Sequence, residues 1–551
     1  MKKIVECVPN FSEGRDQSVI DRIGDEIKKV SAVQLLNVDP GKDTNRTVFT
    51  FAGEPQAVVD AAFSAIKKAA ELIDMAKHKG THARMGATDV CPFVPVSGVT
   101  MADCVQLAHQ LGKRVGEELG IPVFLYAEAA TREDRKRLPD IRAGEYEALP
   151  EKFKKEDFYP DYGQAVFNPR CGATAIGARD FLIAYNINLN TRDTKIANNI
   201  AKRVREKGYS VKDPQTGESR TVPGTLSGVQ GMGWYIPEYN MAQISVNILD
   251  YKTTPIYRVF EECERFASEF GVRVTGSELV GLVPLEALLA TGLHVLERQG
   301  NSRGVSETEL VRLAVQTLGL NEISVFDPAE RVIDYRFSRP GPLVSMSLQE
   351  LCDELASDSP APGGGSISAL CGAMASGLAA MVGNLTFGKK KYIDVWAEME
   401  TISMKAQTLK AFFVQMVDRD TNAFNSIMNA FALPKGNPEE VTARTEAIQN
   451  ATKEATMVPF SVLERCLEVA ELVETVANKG NQNSLSDAGV AGLCAQVAAE
   501  GALYNVLINL QGVEDKDWVE GVAEKSKVII KAVEKKTGQI RKIMNDKLGI
   551  S

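Results

Sequence analysis

The chain has 551 residues, 44% of them hydrophobic and 25% charged, with a formal net charge of −9. That length predicts about three or four folding units at ~150 residues each, and the acidic balance excludes a general nucleic-acid binder, which would carry a basic face. Nine cysteines without CxxC spacing point to reduced thiols in the cytoplasm rather than a disulfide framework, and the apolar stretch before Asn10 is too short for a signal peptide.

Up to about residue 340, short β-rich runs alternate with amphipathic helices, and one pattern occurs twice. The first copy is predicted as a strand over 4–9, a helix over 17–30, strands over 32–38 and 47–51, a helix over 55–77 and an extended segment over 91–96. The second is predicted as a strand over 181–188, a helix over 192–207, strands over 228–236 and 242–248, a helix over 254–270 and a strand from 272. Both follow β-α-β-β-α-β, the split ferredoxin-like order. Residues 129–170, rich in Arg, Glu, Lys and Tyr, are expected to form a solvated surface excursion. Residues 278–320 should close the front region, and the Pro- and Gly-containing stretch near 327–343 suits a linker. Behind it, helices are predicted near 347–357, 365–386, 392–432, 437–480, 484–511 and 514–547, the pattern of a bundle. The expected architecture is therefore multidomain, α+β followed by all-α. It comprises subdomains over 1–178 and 179–328, a linker over 329–345 and a helical domain over 346–551.

The uncharged run from Ser359 to Gly388 is long enough to span a bilayer. Its Ala, Gly and Ser gain little in hydrocarbon, so a buried central helix with no membrane span is expected.

His82 lies on a Gly-rich loop, where an imidazole titrating near neutral pH suits proton transfer. Around it, Asn10, Ser12, Glu13, Arg15, Asp39, Asp43, Asn45, Arg46, Arg84 and Asp89 fall at predicted strand ends and turns. Asp39, directly after a buried strand, could orient the imidazole. His78 and His82 are four apart, but Gly80 lies between them and no HExxH pattern exists, so no metal is expected. In the second repeat, Gln230, Gly233 and Trp234, with Asn240, Gln243, Ser245 and Asn247, form a neutral set that suits a flat heteroaromatic ligand. The turn Gly363-Gly364-Gly365-Ser366 lacks the Lys of a P-loop, yet aims free N–H groups at whatever lies beyond a helix N-terminus. On the helical stripe Phe413, Met416, Val417, Asp420, Phe424, the carboxylate of Asp420 sits among apolar neighbours, where a raised pKa would make it a general acid. Asp418 is expected to look toward Gln415, Thr421 and Asn422.

The segments VPNFSEGRD (8–16), HKGTHARMGATDVCPFVPVSG (78–98), GARDFLIAYNINL (177–189) and VQGMGWYIPE (229–238) resemble the glutamate formimidoyltransferase family. APGGGSISAL (361–370), VDRDTNAFNSIMNAFALPKG (417–436) and YNVLINL (504–510) resemble the formimidoyltetrahydrofolate cyclodeaminase family. Order and spacing cover nearly the whole chain, which resembles the bifunctional formimidoyltransferase-cyclodeaminase family. The resemblance implies transfer of a formimidoyl group from N-formimidoyl-L-glutamate to tetrahydrofolate in histidine breakdown. Cyclisation to 5,10-methenyltetrahydrofolate with release of ammonia would follow. It implies a histidine acid/base at His82 and a proton donor at Asp420. It also implies folate-binding segments matching Gly177, Ala178, Arg179 through Asn186, and Glu238, Tyr239, Asn240. Tetrahydrofolate, polyglutamated, is then the cosubstrate, and a homo-oligomer is expected. Arg15 or Arg46 could hold the glutamate carboxylates. The charged stretch around 140–165 is longer than the family pattern and is expected to affect a surface, not a site. The alternative reading is a folate-binding storage module with a helical oligomerisation domain.

Overall fold

The computed structural model describes residues 3–550 apart from 43, 81, 214–217 and 338–340. Asp43 and the middle of the expected linker thus lie outside the described residues. The chain forms two compact units, one of residues 1–287, 319–327 and 331–334, the other of 288–318, 328–330 and 335–551.

The first unit holds two main sheets. In the first, β1 (Ile4–Cys7) and β2 (Asn10–Phe11) are two parts of one extended stretch. They are followed by α1 (Gln17–Lys28), β3 (Val33–Gly41), β4 (Arg46–Gly53), α2 (Pro55–Leu72), β5 (Thr88–Ser97), α3 (Met101–Glu118), β6 (Val123–Ala127) and β7 (Thr174–Ala178). β1 and β2 lie antiparallel between β4 and β5, β3 borders β4, and β7 runs parallel to both β5 and β6. Alternation along the strands decides the faces. Val5, Cys7, Phe11, Phe49, Phe51, Cys91 and Phe93 enter the apolar core with Ile20, Ile23 and Ile27 of α1 and Val58, Val59 and Ile66 of α2, while Glu6 falls on the opposite face from Val5 and Cys7. The helices start where a side chain satisfies the first free N–H groups: Asp16 accepts from Ser18 N and Val19 N before α1, and Thr100 with Asp103 forms a capping box before α3.

The second sheet contains β8 (Ile183–Leu189), β11 (Val229–Ile236), β12 (Met241–Ile248) and β13 (Val274–Val280), in the order β11-β12-β8-β13 and antiparallel throughout. α4 (Thr194–Val204) and α5 (Ile256–Glu269) complete it. A hairpin of β9 (Tyr209–Lys212) and β10 (Ser219–Val222) was not legible in the sequence.

The 129–170 excursion is not a solvated surface element. Ile141, Tyr146, Leu149 and Phe153 are buried in the core of the first sheet, and its charges reach inward. Arg142 Nε donates to Asp89 Oδ1 at 3.2 Å and its Nη2 pairs with Oδ2. Arg84 Nη1 donates to Glu145 Oε2 at 2.7 Å and to Glu147 Oε2 at 2.9 Å. The longer charged stretch therefore bears on a site, because its arginine supplies the countercharge that a fully buried carboxylate requires.

The second unit is helical, and the ends of its helices from 348 onward lie within a few residues of the expected ones, while the unit itself also takes in 288–318, expected to close the front region. It contains α6 (Glu307–Thr317), α7 (Leu348–Leu355), α8 (Gly364–Thr386), α9 (Trp396–Phe431), α10 (Pro438–Lys479), α11 (Leu485–Leu510) and α12 (Lys516–Leu548). Residues 288–318 cluster with these helices: Arg303 Nη2 donates to Glu400 Oε2 at 2.9 Å, and Asn384 Nδ2 to Gly304 O at 2.8 Å. α8 is the small-residue helix. Its Gly372 leaves room for the Phe413 ring of α9, and Ala369, Ala375, Ala379 and Ala380 are buried. Among the described residues, two segments, Gly364–Thr386 and residues 482–510, are long and apolar enough to cross a membrane by length and composition.

Asp89 is 0% exposed, so removing Arg142 strands a buried charge. Arg142→Ala is expected to destabilise the first unit by about 3–5 kcal/mol, read as a shift of the denaturant midpoint. A midpoint within error of the parent's would show that Met85 N–H and the nearby Arg46 charge sustain the carboxylate without Arg142.

Candidate functional site

The loop from 78 to 87 carries His82 at the end of the first sheet where β3 and β4 turn. Gly80 packs so closely on the Thr44 carbonyl that a Cβ would collide with it. Arg84 Nε donates to His78 Nδ1 at 3.4 Å, which leaves Nε2–H to donate to Asn45 O at 2.8 Å. His78 is thus a strut for the turn, not a partner of His82. Asp89 accepts Met85 N at 3.0 Å and fixes the far end of the loop.

His82 Nδ1–H donates to Ala83 O at 2.7 Å, so the lone pair resides on Nε2. Arg46 Nη1 lies 2.5 Å from Nε2 and 2.8 Å from Nδ1. The other edge of the guanidinium grips Asn10: Nε donates to Oδ1 at 2.9 Å, Nη2 contacts the same oxygen, and Asn10 Nδ2 donates to Val8 O at 2.9 Å. Burial first, and the neighbouring Arg46 charge second, hold the His82 pKa below its usual value. The ring is therefore neutral at neutral pH and able to accept a proton. Burial likewise brings Arg46 down to about 10.

Arg15 joins this end of the sheet, its Nε donating to Lys42 O at 2.9 Å. Gly14 packs against the Gly41 carbonyl and Arg46 backbone. Asp39 stands exposed on β3 opposite Val48. Among the described residues the partners of the two His82 nitrogens are Arg46 and Ala83, and Asp39 is not one of them.

Further along the same sheet, Gly177 and Ala178 lie in β7 beside Pro92 and Phe93. Gly177 has no Cβ because the Tyr126 ring and carbonyl occupy its place. Arg179 comes within hydrogen-bonding reach of the Tyr126 hydroxyl and faces Glu6.

On the second sheet, Gln243, Asn188 and Asn186 turn away from the buried Tyr185, Ile187 and Leu189. A directed chain crosses this face: Trp234 Nε1 donates to Gln243 Oε1 at 3.1 Å, Gln243 Nε2 to Asn188 Oδ1 at 2.8 Å, and Asn188 Nδ2 to Glu322 Oε2 at 2.6 Å. Asn186 Nδ2 donates to Glu278 Oε2 at 3.4 Å. Tyr239, in the exposed turn Glu238-Tyr239-Asn240, feels the charge of the same Glu278, which raises its pKa. Gln230 and Trp234 are exposed on β11. Gly233 is not with them: it is buried, and a Cβ would strike the Asn198 backbone of α4. That glycine serves helix–strand packing.

In the helical unit, the Gly363–Ser366 turn, Asp420 and Asn505 converge. Gly364 and Gly365 open α8, and a Cβ on Gly365 would occupy the space of the Asp420 carboxyl. Ser366 Oγ donates to Val417 O at 2.7 Å and reaches Asp420 Oδ2 at 3.3 Å. Asn505 of α11 stands beside Gly364. Burial raises the Asp420 pKa, partly offset by the hydroxyl and backbone N–H of Ser366. Asp418 was expected among polar neighbours, but it is only 8% exposed and accepts Leu343 N at 2.8 Å and Val344 N at 3.2 Å. Its partners come from a segment some 75 residues earlier, beyond the reach of any helical-neighbour argument.

Sequence reasoning missed Glu6, Tyr126, Arg142 and Glu322. Strand alternation could have flagged Glu6, a carboxylate between the core residues Val5 and Cys7; nothing local marks the other three.

The family model for the formiminotransferase domain, N-terminal subdomain, matches residues 4–179, and that for the formiminotransferase domain matches 184–338. The model for formiminotransferase-cyclodeaminase matches 347–528. The chain is 44% identical over 523 residues to the formimidoyltransferase-cyclodeaminase of Rattus norvegicus, spanning 94% of this chain and 95% of that protein. Identity to the Dictyostelium discoideum protein of the same name is 44% over 552 residues, spanning 99% and 100%. The front part is 47% identical over 303 residues to the glutamate formimidoyltransferase of Thermoplasma acidophilum, spanning 55% of this chain and 95% of that one.

Replacing Arg46 with Gln removes the second cause of the low His82 pKa but leaves burial in place. The imidazole pKa should rise toward its ordinary value in an NMR titration, so that protonation sets in at higher pH. An unchanged titration would assign the whole shift to burial.

Proposed function

The chain belongs to the formimidoyltransferase-cyclodeaminase family, and from that premise we propose how its two units divide successive steps on one folate. The protein is a bifunctional folate enzyme of histidine degradation. The first unit transfers the formimidoyl group of N-formimidoyl-L-glutamate to N5 of tetrahydrofolate, and the helical unit cyclises the product to 5,10-methenyltetrahydrofolate with release of ammonia. The observation that carries this reading is the pairing of opposite pKa shifts: a neutral imidazole at His82 and a protonation-prone carboxyl at Asp420.

In the transfer, N5 attacks the amidine carbon and builds a tetrahedral centre. His82 Nε2 takes the N5 proton and returns it to the departing glutamate nitrogen. Arg46 now covers that lone pair. A substrate carboxylate drawn to Arg46 or Arg15 turns the guanidinium toward itself and frees Nε2. Asp39, exposed at the same end, is positioned toward substrate rather than toward the ring. The folate lies over Gly177, Ala178, Arg179, Asn186, Gln230, Trp234 and the Glu238–Asn240 turn, with Gly233 as support. Its polyglutamate tail extends outward.

In the cyclisation, Asp420 protonates the imine nitrogen as N10 attacks the same carbon. The N10 proton then passes through the carboxylate to that nitrogen, and the C–N bond breaks to release ammonia. The N–H groups at Gly364–Ser366 steady the carboxylate while it is charged. Because the acid form is required, ammonia release should fall as pH rises through the raised Asp420 pKa. Transfer should fall as pH drops through the lowered His82 pKa.

The strand orders of both sheets support two ferredoxin-like repeats in the first unit, the expected 179–328 span being cut by residues 288–318, which cluster with the helices. The exposed stripe Val490, Leu493, Val497, Tyr504 and Ile508 along α11 supports a homo-oligomer, since apolar faces of this kind mark association surfaces.

Following methenyltetrahydrofolate absorbance and free ammonia together tests the assignment. His82→Ala should slow transfer by about 10²–10⁴-fold yet still release ammonia from supplied 5-formimidoyltetrahydrofolate; Asp420→Asn should do the reverse. Neither product from the parent, with folate still bound, would return the storage-module reading. Light scattering should show an oligomer that Leu493→Glu reduces in mass. A monomeric parent would refute the association.

A further inference from the structure

Glu6 is 4% exposed, yet none of the described residues donates a hydrogen bond to its carboxyl. The side-chain oxygens sealed from solvent without a partner are Thr88 Oγ1 and Thr174 Oγ1 among the described residues. The Glu6 oxygens are not among them, so they keep access to the space above the sheet. A carboxyl held there unpaired is costly to fold around, and the apolar alternative would pack without penalty.

Its surroundings have a definite pattern. Glu6 lies opposite Ala52 of β4 and Val94 of β5, both neutral. Across β5, Arg179 N donates to Phe93 O at 3.0 Å. Glu6 and Arg179 thus flank one strand, roughly 10 Å apart at the backbone, and the guanidinium charge acts on the carboxyl without an ion pair between them. The charged and titratable groups around Glu6 are Arg179 and, on the core side of its own strand, Cys7; Tyr126 and Arg142 follow along the face. His82, with Asn10 and Arg46, lies at the other end, roughly 13 Å along the strand.

Resting on the folate reading above, we propose that Glu6 and Arg179 together seat the hydrogen-bonding edge of the pteridine ring. That edge presents two donors and an acceptor in a row, the 2-amino group, N3–H and the 4-oxo oxygen. A carboxylate beside a guanidinium is its complement: Glu6 accepts from the first two, and Arg179 donates to the third. The flat ring then spans from this seat toward His82, which places N5 at the imidazole end. Burial pushes Glu6 up to about 7 against the pull of Arg179; the ligand's donors favour the ionised form, so folate affinity weakens as pH falls through that value.

The test is a fluorescence titration of the full-length protein with 5-formyltetrahydrofolate, a folate that does not accept the group. Glu6→Gln should weaken binding about tenfold or more and flatten its pH dependence. The KM for N-formimidoyl-L-glutamate should stay within about twofold of the parent's. Unchanged folate affinity in a folded Glu6→Gln protein would overturn the proposal, as would a rise in the formimidoylglutamate KM alone. Should that variant fail to fold, the parent decides: it should bind a 2-desamino folate about tenfold less tightly, and equal affinity overturns the seat. A parent that binds no folate at all would overturn the functional reading as well.

Discussion

Asp89 has no exposure, and a carboxylate withdrawn from water must be met by donors or lose its charge. Met85 N–H and the Arg142 guanidinium meet it. Through these bonds the charged stretch beyond residue 129 is drawn down onto the His82 loop. Arg84 repeats the arrangement one step away, held between Glu145, Glu147 and His78. The loop is too rich in glycine to hold one shape by local preference. Ion pairs from a distant segment supply the rigidity, and a proton-transfer group must be held in this way if its geometry is to be reproducible.

The two aspartates of α9 show how neighbours two residues apart receive different assignments. Asp418 is anchored by two backbone N–H groups, which make it a structural tie between 341–344 and the helix. Asp420 meets the N-terminus of α8 and a serine, but burial outweighs both. The same side chain is tied to a preceding segment in one place and to the opening of a neighbouring helix in the other, and only the fold decides which. In the first unit His82 shows the converse: burial and a neighbouring cation keep an imidazole neutral, so acid and base behaviour are set apart between the two units.

Much of this was legible in the residues. The helical bundle could be read from long stripes, and the repeated β-α-β-β-α-β order from alternation punctuated by Gly, Asn and Pro. Asp420 was distinguishable because a helix carries its own neighbours at three and four positions. The motifs around His82 and Gly363 were visible because they depart from both periods. What failed did so for one kind of reason. The charged run near 140–165 resembles a solvated face when only its own composition is considered, and nothing local reveals that Arg142 has a buried acid to find. Asp418 was misplaced because its partners arrive from Leu343 and Val344. Gly233 resembles a ligand loop, but its lack of a side chain accommodates Asn198 of α4.

By itself the sequence determined which segments become strands or helices, which face of each is apolar, and which residues capable of proton transfer stand at their ends, because these depend on spacing along the chain. Only the tertiary structure decided which of those groups carries its proton, which imidazole nitrogen offers its lone pair, and which buried carboxyl receives no hydrogen bond from the described residues. Those properties follow from desolvation and from charges and donors within a few ångströms in space, and here most of them are contributed by residues tens of positions away.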